Sequence, residues 1–111
     1  MNNVLFALCR HCVGIMDGWL PFPSTALSKM CGLSLYKTRK ELKQLKERGL
    51  VVADRYCEQT EEGNYILNGY TITDKAKETE EYKKAFAEER EIVKRVFGFD
   101  MTEPAEWRPN K

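Results

Sequence analysis

The sequence predicts a mostly helical α+β fold. Three observations carry that expectation. Apolar residues recur at helical spacing in four stretches, two runs of strand-forming residues flank a polar segment containing glycine, and the last apolar stretch is long enough for a helix of about six turns. With 111 residues, 42% of them hydrophobic and 32% charged, the chain has the material for one small core.

The first helix is expected over Asn3–Met16. Leu5, Leu8, Cys9, Cys12, Val13 and Met16 follow i, i+3, i+4, i+7, i+8, i+11, while Val4, Phe6, Ala7 and Ile15 widen the apolar surface beyond one stripe. Asp17-Gly18 breaks it, and Trp19-Leu20-Pro21-Phe22-Pro23 reads as an extended connector, because a residue that precedes proline is pushed out of helical geometry. A short edge strand fits there. Ser24 or Thr25 caps a second helix through Lys29 and Met30, Gly32 supplies a left-handed turn residue, and Ser34 caps a third helix that runs to Arg48 and stops at Gly49. On that third helix Leu35, Thr38, Leu42 and Leu45 form the core stripe, and Tyr36, Lys37, Lys40, Lys43, Gln44 and Glu47 lie opposite. Two short helices joined by a tight turn have the grammar of a helix-turn-helix.

Leu50–Tyr56 and Tyr65–Thr73 read as strands separated by the polar run Cys57–Asn64. Asp74 then caps a long helix, Lys75–Phe97, ended by Gly98. Its apolar positions include Tyr82, Phe86, Val93 and Val96, with Ala85, Ile92 and Phe97 beside them. Residues 1–98 thus form one domain. Residues 99–111, with Pro104, Trp107 and Pro109, form an irregular tail that Trp107 is suited to pin to the body.

The order Ala26-Leu27-Ser28, Gly32-Leu33-Ser34, Thr38-Arg39, Leu42, Leu45 and Gly49-Leu50-Val51, followed by the two strands, resembles the winged helix-turn-helix superfamily of DNA-binding domains, of MarR-like or mobile-element regulator type. The resemblance covers Ser24 to about Thr73. It implies that Leu35–Arg48 is the recognition helix, that the strand pair and its polar connection form the wing, and that a brief strand near Trp19–Pro23 pairs with it.

Charge is divided to match. Residues 24–56 hold eight Lys and Arg against three Asp and Glu, whereas residues 57–111 hold nine against thirteen, and the whole chain is only +1. The basic excess falls on the reading head, as double-stranded DNA requires. The competing reading of the same helix is a solvated face with ion pairs Lys37–Glu41 and Lys43–Glu47. The expected DNA-contacting set is Ser34, Tyr36, Lys37, Arg39, Lys40, Lys43, Gln44 and Arg55. Lys37, Arg39, Lys43 and Arg55 anchor phosphates, and Tyr36, Lys40 and Gln44 reach base edges. Tyr36 suits equally a stack on a sugar or a spacer against the preceding helix. The wing tip, Glu58 to Asn64, departs from the family's pattern, with three carboxylates and no cation. That charge argues against entry into a minor groove.

More apolar area exists on the first and last helices than one small core needs. Leu5, Tyr82, Phe86, Val93 and Phe97 are therefore the expected dimerisation residues, with a homodimer placing two recognition helices about 34 Å apart. A monomer with the last helix folded over the first is the alternative. Cys9-Arg10-His11-Cys12 contains a C-x-x-C, but its cysteines share the apolar face and no second ligand pair follows at metal-site spacing, so core packing outweighs a metal site. His11 is the only histidine. No catalytic motif, metal or cofactor is expected. Four cysteines without a secretory leader, and no membrane-length apolar run, point to reduced thiols in the cytoplasm.

The reading is a non-enzymatic, sequence-specific DNA-binding protein, a small bacterial or phage transcription regulator. The alternative is a winged protein–protein interaction module, a replication or mobile-element accessory protein that does not bind DNA by itself.

Overall fold

The structure is a computed structural model. It describes residues 1–101 apart from Met16, Asp17 and Trp19, and for Glu58 and Leu67 the backbone alone. In order, the elements are α1 (Asn3–Cys12), α2 (Ser24–Cys31), α3 (Leu35–Glu47), β1 (Val51–Thr60), β2 (Gly63–Ile72), a 3₁₀ segment (Asp74–Glu78) and α4 (Glu80–Phe97). The α+β, mostly helical architecture expected from the sequence is present.

Helix α1 starts where Asn2 accepts the Leu5 N–H at 2.9 Å through its side chain. It ends at Cys12, short of the expected Met16, which lies outside the described residues. Val13 closes the helix with its N–H on the Cys9 carbonyl, and Gly14, poor in helix propensity, follows. The cap of α2 also differs from expectation. Pro23, fixed in extended geometry at φ −73°, ψ 151°, occupies the cap position without a side-chain bond, so Ser24 and Thr25 are already helical. Gly32 takes the left-handed conformation at φ 66°, which lets its N–H and that of Leu33 satisfy the last carbonyls of α2. Ser34 then caps α3 as expected, accepting the Lys37 N–H at 3.1 Å.

The strands are longer than the sequence suggested and their connection shorter. β1 and β2 pair antiparallel in register from Val51↔Ile72 to Thr60↔Gly63, leaving only Glu61-Glu62 as the turn. Thr60 Oγ1 donates to the Gly63 carbonyl at 2.9 Å and helps close it. The expected edge strand at Trp19–Pro23 is reduced, among the described residues, to a single bridge in which Phe22 and Tyr70 exchange backbone hydrogen bonds of 3.0 and 2.9 Å. Gly69 is required beneath it, since a Cβ there would stand 2.6 Å from the Phe22 carbonyl carbon.

Asp74 does not start the last helix. Residues 74–78 form a 3₁₀ turn that buries Ala76, and α4 begins after Thr79, whose hydroxyl accepts the Tyr82 N–H at 3.2 Å and donates to the Ala76 carbonyl at 2.6 Å. Gly98 ends α4 in left-handed geometry, as expected.

The core is built from Val4, Leu5, Leu8, Cys9 and Val13 of α1 and its end, Leu27 of α2, Leu42 and Leu45 of α3, and Tyr82, Ala85 and Val93 of α4. α4 packs along α1. Glu81 accepts the Asn2 N–H at 3.0 Å, and Arg10 donates to the Ala85 carbonyl at 3.0 Å while lying 3.8 Å from the Glu89 carboxylate. This contact corrects the expected dimerisation set. Leu5, Tyr82 and Val93 are buried inside the chain, and half-buried Phe86 stacks on Tyr82, so these four are consumed by the fold itself. Phe97 alone of the set is exposed, together with Val96 and Phe99 at the C-terminal end of α4 and just beyond it. Among the described residues no helix is long and apolar enough to cross a membrane.

Candidate nucleic-acid interface

Helix α3 is positioned by its apolar side. Thr38, Leu42 and Leu45 are buried, and Thr38 returns its hydroxyl to the Ser34 carbonyl at 2.9 Å, which removes the one polar group on that stripe from competition. The opposite side faces outward in full. Tyr36, Lys37, Arg39, Lys40, Lys43 and Gln44 are all exposed, Tyr36 to 76%. Of the two readings of Tyr36, the outward one fits this placement, since a spacer packed on α2 would be covered.

The ion pairs that would make this a merely solvated face do not form. Glu41 instead accepts a hydrogen bond from the Asn2 side-chain amide at 3.2 Å, on the side of α3 that meets α1. Among the described residues, Lys37, Arg39, Lys40 and Lys43 make no ion pair within the chain. Four cations on one helix side therefore keep their donors available to an external anion.

Ser34 is exposed and its oxygen is engaged by the Lys37 N–H. Its hydroxyl proton stays available for donation while the cap holds. Arg55 lies on β1, exposed, with its backbone N–H held by the Asp54 carboxylate at 2.8 Å. Its guanidinium is the basic group on the strand rising from α3 toward the turn, because Glu61-Glu62 closes the hairpin without a cation.

His11, Cys9 and Cys31 are engaged in packing and hydrogen bonds. His11 stacks on Phe22 at 4.1 Å and its Nε2 is 2.8 Å from the Leu20 carbonyl, which ties α1 to the connector. Cys9 is fully buried, and that burial, with Cys12 and Glu81 nearby, pushes its thiol up to about 12 from 9.0. Burial also raises the Cys31 thiol, which points to the Asn3 carbonyl at 3.5 Å. A thiol held protonated is a poor nucleophile and a poor metal ligand. No grouping of three or more His, Cys, Asp or Glu suited to a metal occurs among the described residues.

One feature has no linear signal. Asn3, Phe6, Ala7 and Arg10 of α1 meet Met30 and Cys31 of α2 around a groove of about 290 Å³. Its lining comes from two helices whose packing the sequence does not spell out. Comparison with protein-family models, with curated proteins and with solved structures gives no match.

Proposed function

We propose that the chain is a winged helix-turn-helix protein that binds double-stranded DNA sequence-specifically through α3. The observation that carries this reading is the unpaired, exposed Tyr-Lys-Gln side of a helix whose other side is locked into the core. Tyr36, Lys40 and Gln44 lie at i, i+4, i+8 along the middle of that side, which supports base-edge roles, and the exposed cations Lys37, Arg39 and Lys43 on the same side support phosphate roles. Gln44 matches an adenine edge and Lys40 the acceptors of guanine. Arg55, midway along β1, supplies a further backbone contact.

In this reading the protein is a small transcription regulator of the cytoplasm, and a second copy pairs through the exposed Val96–Phe97–Phe99 end of α4. Fluorescence anisotropy with random-sequence duplex DNA across a salt series tests the DNA contact. Four phosphate contacts give a slope of log K against log salt of about −3.6, at about −0.9 for each contact. Absence of binding at low salt removes the reading.

A further inference from the structure

The β1–β2 hairpin does something that DNA contact does not require. Its root is packed, with Val51 and Thr71 buried, but from Gln59 and Thr60 through Ile66 every residue whose side chain is described is exposed. A two-stranded hairpin that stands clear of its body has two sheet edges with unpaired backbone groups.

The phase of the ladder identifies them. Phe22 reaches the N–H and carbonyl of Tyr70 from outside, so on β2 the outward-facing residues are Tyr70 and, in steps of two, Asn68, Ile66 and Asn64. Phe22 thus begins a third strand position that the chain abandons at Ser24, where α2 starts. Beyond it the outward groups of Asn68, Ile66 and Asn64 find no partner among the described residues. The outer edge of β1 differs, because Asp54 occupies the outward N–H of Arg55.

The usual protections of an edge are absent from β2. It contains no Lys and no Pro, and its ten register pairs are one-to-one, which leaves no place for a bulge. The charge around its tip is acidic, and one cation, Arg55, lies lower down, opposite Asn68. Residues 57–69 include Glu58, Glu61 and Glu62 and no Lys, Arg or His, while Tyr65 and Ile66 present apolar surface, each nearly half exposed.

We infer that the outer edge of β2 is a docking site for an extended, basic polypeptide segment of another protein, added as a strand beside Asn64, Ile66 and Asn68. Main-chain bonds to the three outward residues supply the pairing, and Lys or Arg alternating with apolar side chains match the carboxylates and Ile66. A second copy of this hairpin brings three carboxylates and Arg55 as its single cation, a poorer match than a segment with alternating cations, and the three carboxylates disfavour nucleic acid.

The test uses the full chain, isotopically labelled, and a ten-residue peptide that alternates lysine with threonine and valine. Saturating peptide slows amide exchange at Asn64, Ile66 and Asn68 by at least about tenfold, and a glutamate-for-lysine peptide binds at least about tenfold more weakly. Ile66→Pro deletes one outward N–H at a position where an edge strand tolerates proline, and abolishes the protection at Asn64 and Asn68. Should that variant lose the hairpin, the double change Glu61→Lys and Glu62→Lys in the exposed turn decides, by reversing the preference between the two peptides. Equal binding of both peptides, protection along β1 instead, or perturbation confined to α3 overturns the assignment.

Discussion

Lys40, Gln44 and Lys43 sit within two turns of one helix, yet the proposed DNA contact gives them different work. Lys40→Ala or Gln44→Ala weakens the preferred duplex by about 1–3 kcal/mol and leaves random DNA nearly unchanged, whereas Lys43→Ala weakens all sequences alike and reduces the salt slope by about one contact. Anisotropy on a selected site and on scrambled DNA separates the two outcomes, and equal losses everywhere from all three variants remove the base-reading roles. Cys9 makes a prediction about pH. Its folded pKa of about 12 lies above the ordinary 9.0, so its contribution to stability is complete below pH 9 and declines as pH rises toward 12, because only the unfolded chain releases the proton readily. Denaturant titrations from pH 8 upward read this decline, and Cys9→Ala flattens it. Gly69 is the third such residue. Gly69→Ala drives a methyl into the Phe22 backbone, costs about 1–3 kcal/mol and speeds amide exchange at Phe22 and Tyr70.

At the scale of elements, helix ends separate what the sequence spells out from what packing decides. Ser34 and Gly32 were legible because a side-chain cap and a left-handed glycine are local devices, complete within four residues. The start of α4 was not. Asp74 and Thr79 are both acceptable caps, and Thr79 prevails because the 3₁₀ turn between them carries Ala76 into the core, a choice made by tertiary contact. Thr79→Ala is therefore expected to cost about 1 kcal/mol in thermal unfolding and Asp74→Ala much less, the reverse of the order that capping rules alone imply. The hairpin misled in another way. Gln59, Thr60, Gly63 and Asn64 read as loop by composition, but register closes the strands down to a two-residue turn. Of the candidate interface, the outward side of α3 was readable from helical spacing. That Glu41 would bond Asn2 rather than Lys37 was not, since the partner lies 39 residues away.

The whole molecule resolves the apolar surplus of the first and last helices. One small core appeared too little for both stripes, and a second copy was the expected remedy. Folding α4 along α1 places Leu5, Tyr82 and Val93 inside one chain and leaves, among the described residues of the two helices, Val96 and Phe97 as the exposed large hydrophobics, with Phe99 close by. The proposed association and the folding stability thereby rest on different residues, which permits a clean experiment. Leu5→Ala opens a cavity in the buried cluster that also holds Leu8, Leu27 and Leu42 and costs about 2–5 kcal/mol of folding stability. Phe97→Glu removes no core contact, so its unfolding midpoint, measured at a concentration where the chain is monomeric, stays within about 0.5 kcal/mol of the parent's. In light scattering across a concentration series the effects invert: Phe97→Glu shifts the chain toward monomer, while Leu5→Ala, below its unfolding temperature, associates as the parent does. A parent that stays monomeric throughout instead returns α3 to reading a single site, and its DNA footprint then covers one major-groove segment with no two-fold symmetry.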